Sequence, residues 1–244
     1  MPATDLRDPQ KLKAEFDEYS ETYVSQINES LAFSGASHDF FTRTKADYLT
    51  SIFSNKDLFT RNKIHALDVG CGHGLIHPYL LEKNSQLSLS GVDVASCTVD
   101  IARTTNLDVS YETYDGSLLP YGDNVFDMTF AICVMHHVPP AQWVNFLQEM
   151  SRVVKPGGVV VIFEHNPANP VTRKVVRNCP LDKDAVLIHS KSMKKLMTQA
   201  GLTVIKSKFI LFTPFDKPVF QKLDHKLGWL PFGAQYYTLS IKQV

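Results

Sequence analysis

Four cysteines are scattered along the 244 residues, and Cys71, Cys97, Cys133 and Cys179 form neither a CxxC pair nor a zinc-ligand spacing. A disulfide framework and a cysteine-built metal centre are excluded, the four read as reduced thiols, and no metal site is expected. Long hydrophobic runs are missing as well. A membrane span needs roughly 18 to 20 apolar residues, and the longest strand-like run, Val159 to Phe163, falls far short. Met1 to Gln10 has no apolar stretch and no small-residue cleavage site, so no secretory signal is read and a cytoplasmic location is expected. Net charge is absent too: 25 Lys plus Arg oppose 25 Asp plus Glu, which argues against a generic nucleic-acid binder. What remains is an ordinary globular composition, 44% hydrophobic, which excludes a disordered, collagen-like or coiled-coil chain.

The zero sum conceals a division. Residues 1–170 carry 12 basic and 21 acidic side chains, whereas residues 171–244 carry 13 and 4. Lys191, Lys194 and Lys195 read as a solvated helix face. Arg173, Lys174 and Arg177 form a tighter cluster, for which the asymmetry suggests a use.

Helical spacing opens the chain. Phe16, Tyr19, Tyr23 and Ile27 recur every three or four residues and predict one aromatic stripe on a helix over Lys11 to Asn28, with a second helix near Asp39 to Phe53. Short apolar runs then alternate with helical segments: Ile64 to Val69, Leu87 to Val92, Val109 to Tyr114, Val125 to Val134 and Gly158 to Phe163. Between the last two, Ala141 to Val154 has helical spacing, preceded by Pro139 and Pro140 and stopped by Lys155-Pro156-Gly157-Gly158. Strands apolar on both faces and separated by helices predict a doubly wound α/β domain built on a parallel sheet. A helix at Ser192 to Ala200 and strands at Leu202 to Leu211 and Tyr236 to Ile241 follow. The segments 164–190 and 212–235 are too long for simple connections and predict caps or partner surfaces.

The strongest local signal is Leu67-Asp68-Val69-Gly70-Cys71-Gly72-His73-Gly74. Glycines at alternate positions after a strand let backbone approach a ligand where side chains would collide. A tight structural turn is the alternative. The spacing is GxGxG rather than GxGxxG, which lowers a dinucleotide reading. Asp93 closes the second strand, where a carboxylate can accept both hydroxyls of a ribose, and Asp115-Gly116 closes the third, where one can reach an adenine amine. Asp68 would repel a pyrophosphate but suits an ammonium group. Together they describe an adenosine-like, cationic ligand.

These motifs resemble those of the class I S-adenosylmethionine-dependent methyltransferases, from about residue 64 to the C-terminus. The glycine motif is Leu67 to Gly74, the ribose acid Asp93, the adenine-side acid Asp115, the fourth strand Phe126 to Val134 with Met135-His136-His137-Val138, and the turn after the helix Lys155 to Gly158. The resemblance implies a Rossmann-like, seven-stranded, mostly parallel sheet with an antiparallel last strand. It also implies a helical N-terminal lid over residues 1–62 and a cofactor-binding core over 63–244. S-adenosyl-L-methionine would lie against Tyr23, Asp68, Gly70, Cys71, Gly72, Gly74, Asp93, Val94, Asp115, Gly116, Cys133 and His137. Asp68 would hold the methionine amino group. An ordinary amphipathic helix remains the alternative for the aromatic stripe.

Methyl transfer from a sulfonium needs alignment and exclusion of water more than covalent help, so a general base is optional. Candidates at the strand ends are His136, His137, Glu164 and His165, the first two reading more readily as cofactor wall. Tyr19, Asn166, Arg173 and Arg177 are candidates for the acceptor, and the arginines suit an anionic one. A small-molecule acceptor, such as a sugar, lipid-linked or secondary-metabolite intermediate, is expected for a monomer or homodimer. An RNA methyltransferase, a non-catalytic cofactor binder and, more remotely, a dinucleotide oxidoreductase stay open.

Overall fold

The computed structural model describes residues 23–31, 37–59, 63–215 and 218–243. Among the described residues two helices come first, α1 (Tyr23–Leu31) and α2 (His38–Phe53); the predicted stripe residues Phe16 and Tyr19 lie outside the described residues, and of Tyr23 only its place at the start of α1 is described. Alternation then runs β1 (Ile64–Val69), α3 (His77–Lys83), β2 (Leu87–Asp93), α4 (Ser96–Thr105), β3 (Ser110–Thr113), β4 (Phe126–Ile132), α5 (Trp143–Val153) and β5 (Val154–His165). It ends with α6 (Pro170–Asn178), α7 (Ser190–Gln199), β6 (Leu202–Ile210), α8 (Pro218–Leu227) and β7 (Gln235–Lys242).

The strand order is β3-β2-β1-β4-β5-β7-β6. Neighbours from β3 to β5 pair in parallel, and β7 runs antiparallel between β5 and β6. This is the doubly wound, seven-stranded sheet with an antiparallel last strand that the sequence implies. Alternate strand residues feed two cores. Ala66, Met128, Phe130, Val161 and Phe163 face α2, α3 and α4, while Leu67, Ala131, Val160 and Ile162 face α5 and α7. Period-two alternation with apolar residues on both faces is what a sheet covered on both sides requires.

Most boundaries shift by one or two residues, and two differences from the sequence reading have a local cause. The fifth strand begins at Val154, because Phe126 pairs with Val154 and Met128 with Val159; the predicted turn at Lys155 to Gly158 is absorbed as an irregularity within the strand, with Gly157 at φ +76°. The fourth strand stops at Ile132 rather than Val134, because Cys133 adopts φ +57° and a 3₁₀ turn, Met135–His137, follows at once. Both long segments contain helices, α6 in the first and α8 in the second. Their amphipathic spacing was read only as insertion.

Candidate functional site

β1 and β4 diverge where the sheet order reverses, and in open α/β sheets that crevice is where ligands bind. A cavity of about 580 Å³ opens there. Its near side is Gly70, Gly72, Asp93, Val94, Tyr114 and Gly116, and its floor is Ile132, Cys133, Val134 and the 3₁₀ turn after them. Helices α1, α2 and α6 supply its roof through Ile27, Leu31, Lys45, Val171, Thr172 and Val175, joined by Phe212 and Pro214.

The glycine turn is held from both sides. Gly70, Gly72 and Gly74 all lie in the left-handed region. Gly70 and Cys71 donate their backbone N–H groups to Val92 O, and Gly72 donates to Asp93 Oδ2 at 2.7 Å, while Asp93 Oδ1 accepts from Ala95 N at 3.0 Å. Burial pushes the Asp93 carboxyl upward, opposed by these backbone donors. A Cβ at Gly70 would come within 2.4 Å of Val134, so β1 and the β4 turn can approach only with glycine here.

Behind the turn runs a buried polar chain that local spacing does not reveal. Asp68 Oδ2 pairs with His77 Nε2 at 3.0 Å, His77 Nδ1 with the Tyr111 hydroxyl at 2.5 Å, and Asn106 Nδ2 donates to that hydroxyl at 3.0 Å. Asp68 sits behind the cavity wall rather than on it, its carboxyl raised by burial and lowered by His77. Its Oδ1 is buried without a hydrogen-bond partner among the described residues. Cys71 and Gly74 also lie behind the wall, and burial raises the Cys71 thiol. Asp115 is exposed and outside the lining; Leu118 N, Ser117 N and the Ser117 hydroxyl donate to its Oδ1 and hold the carboxyl below its usual range, leaving Tyr114 and Gly116 to form the wall there.

The far end gathers the histidines. Glu164 is fully buried and does not reach the cavity; its Oε2 lies 2.6 Å from His136 Nδ1, and its Oε1 accepts from His136 N. Burial opposes charge on both, but Glu164 and Asp182 together raise His136 well above the usual histidine value, and His136 lowers Glu164. Asp182, in the 3₁₀ turn Pro180–Asp182, reaches His136 Nε2 at 3.4 Å and His137 Nε2 at 3.5 Å. Nothing in its sequence surroundings singled Asp182 out. His137 and His165 both line the cavity, and burial together with the charge on His136 pushes His165 down to about 4.

The acceptor candidates divide. Asn166 is buried and spends its amide on Pro231 O, Gly233 O and Ala168 N, pinning the 231–233 loop, while Asn169 is the asparagine on the cavity wall. Arg173 and Arg177 are exposed on α6, whose cavity face is Val171, Thr172 and Val175. Tyr19 lies outside the described residues.

A methyltransferase-domain profile matches residues 66–158. Methyltransferase GfsG of Streptomyces halstedii is 30% identical over 165 residues, 64% of this chain and 58% of that protein. The "Probable tRNA methyltransferase 9B" of Bos taurus is 36% identical over 97 residues, 39% of this chain and 20% of that protein. The chain thus spans well under two thirds of these two curated relatives. Among solved structures, an S-adenosylmethionine-dependent methyltransferase from Thermotoga maritima superposes with a TM-score of 0.67 at 17% identity, over 95% of this chain and 100% of that one. The cyclase SpnF superposes at 0.57 with 18% identity, over 81% and 82%. Likeness at that identity concerns the fold alone, and the cyclase shows that the fold does not dictate one reaction. The profile match begins inside β1 and runs through the glycine turn and Asp93 to the end of the β5 irregularity, so residues 66–158 match a methyltransferase domain, and the strand order is that of the methyltransferase structures on which the chain superposes.

Proposed function

We propose that the protein transfers a methyl group from S-adenosylmethionine to a small-molecule acceptor held under α1 and α6. The carrying observation is the cavity. It continues from the glycine turn into a recess walled by Ile27, Leu31, Val171, Val175, Leu181 and Phe212, and its volume falls in the range of small-molecule pockets. The near end fits the cofactor. Asp93 offers its carboxylate to a ribose, the three left-handed glycines bring no side chain to their positions in the turn, and Asp68, behind the wall, favours an ammonium through its charge.

The bound cofactor supplies a methyl group already activated on a sulfonium. The protein has to orient the acceptor and exclude water, and orientation alone is worth roughly 7 to 11 kcal/mol. The apolar roof does the excluding. His165, at about 4, is neutral at physiological pH; its Nδ1 faces the Gln235 amide at 3.4 Å, which leaves its Nε2–H to donate to the acceptor. That value leaves it a weak base, since general bases work best near the operating pH. The recess is apolar and the arginines of α6 face solvent, so the acceptor presents an apolar body to the cavity.

A second reading, an RNA acceptor, draws on the tRNA-methyltransferase relative and on the exposed Arg173 and Arg177. One experiment separates them: methyl-labelled S-adenosylmethionine offered with small-metabolite fractions or with total tRNA. Label in small molecules supports the proposal. Label in tRNA alone transfers the reading to RNA, and cofactor binding without any transfer refutes both.

A further inference from the structure

We infer that His136, His137 and Asp182 form a site for a divalent first-row transition ion of zinc type, open to the acceptor end of the cavity. One ligand atom from each lies within 4.8 Å of the others. Asp182 Oδ1 stands 3.4 Å from His136 Nε2 and 3.5 Å from His137 Nε2. A tetrahedral zinc ion with bonds of about 2.0 to 2.1 Å places neighbouring ligand atoms roughly 3.4 Å apart. Two of the three edges therefore match those of a zinc site.

A second, independent observation is the state of His136. Its side chain is 1% exposed, and its Nε2 meets only Asp182, at 3.4 Å as an ion-pair contact without the geometry of a well-formed hydrogen bond. The opposite ring nitrogen is tied to Glu164 at 2.6 Å. Metal-bound histidines characteristically give their other N–H to a carboxylate, which fixes the tautomer and turns the free lone pair toward the ion. Glu164, buried and short of the cavity, fits that supporting part better than contact with the acceptor.

The ligands are held in advance. His136 O accepts from Val186 N, Trp143 Nε1 donates to Met135 O and Val138 O, and Asp182 N donates to Cys179 O. All three ligand residues line the cavity. Three protein ligands with a fourth position open is the arrangement of catalytic rather than structural zinc. An acceptor oxygen or nitrogen bound there would lose its proton more readily. This role in catalysis rests on the methyltransferase reading; the metal site itself does not.

The test uses the full chain, stripped with a chelator and dialysed. Cobalt(II) is titrated as an optical probe and zinc(II) by calorimetry, on the wild type, Asp182→Asn and His137→Gln, each first checked for cooperative unfolding. The expected result is one zinc per chain and an intense cobalt spectrum of low coordination number, abolished by zinc. Both variants should bind zinc at least ten-fold more weakly, while Asp182→Asn keeps its S-adenosylhomocysteine affinity within about two-fold. Absence of stoichiometric binding by the wild type overturns the proposal and leaves His136 as an imidazolium between two carboxylates. Equal binding by wild type and both variants overturns it as well, by placing the ion elsewhere. Zinc bound without S-adenosylhomocysteine would retain the metal site and remove the methyltransferase reading.

Discussion

Gly72 and Gly74 share a left-handed backbone, φ +51° and +64°, but differ in what surrounds them. A Cβ at Gly72 meets nothing within 4 Å, whereas one at Gly74 would sit 2.3 Å from the Tyr111 hydroxyl, 2.9 Å from Asn106 Nδ2 and 3.0 Å from His77 Nδ1. Alanine in the left-handed region costs about 1 to 2 kcal/mol, which is all that Gly72→Ala should lose in stability. Gly74→Ala pays that cost and adds overpacking of about 1 to 3 kcal/mol. It also parts the buried chain that ends at Asp68, at about 1 kcal/mol or more for each separated partner. The expected total is roughly 3 to 6 kcal/mol, a large share of the 5 to 15 kcal/mol by which domains are stable. Urea denaturation of both variants, read as a change in midpoint at constant slope, measures the difference. Tyr111→Phe removes the oxygen that the new methyl would strike, so the double variant should lose less than the two single losses added. If Gly74→Ala costs no more than Gly72→Ala, within about 0.5 kcal/mol, the packing argument is refuted.

Asp68→Asn keeps an oxygen for His77 but removes the charge, and charge-assisted hydrogen bonds are worth about 1.5 to 3 kcal/mol. Calorimetry should show S-adenosylhomocysteine weakened about ten-fold or more and 5′-methylthioadenosine, which lacks the ammonium, barely changed; equal losses would mean that Asp68 only shapes the turn. Burial raises Asp224 from 3.8 to about 6. The native state therefore holds the extra proton between those values, and this group's contribution to stability declines as pH rises from about 4 to 6. Asp224→Asn should gain about 2 kcal/mol at pH 7.5, after allowance for solvent screening, and nothing at pH 3.5; thermal unfolding at both pH values checks the sign. Tyr236 is fully buried and its hydroxyl donates to Ile188 O at 2.7 Å. Tyr236→Phe should cost about 1 to 3 kcal/mol, and an unchanged urea midpoint would show that the carbonyl finds another donor.

The alternation of strands and helices, the edges of β1, the glycine turn and the place of Asp93 at the end of the second strand are legible in the residues alone. Each of these follows from local periods, two along a strand and 3.6 along a helix, or from a backbone conformation that only certain residues adopt. Tertiary structure decided the rest. The α6 helix turned Val171, Thr172 and Val175 to the cavity and left Arg173 and Arg177 in solvent, because the face buried depends on what lies beneath it. Pairing of β4 with β5 placed the 3₁₀ turn beside the end of β5, so Glu164 found His136 inside rather than an acceptor outside. The Pro180–Asp182 turn brought Asp182 onto two histidines from which α5, β5 and α6 separate it in the chain. Contacts between residues so far apart depend on register and helix orientation, and neither is written in local spacing.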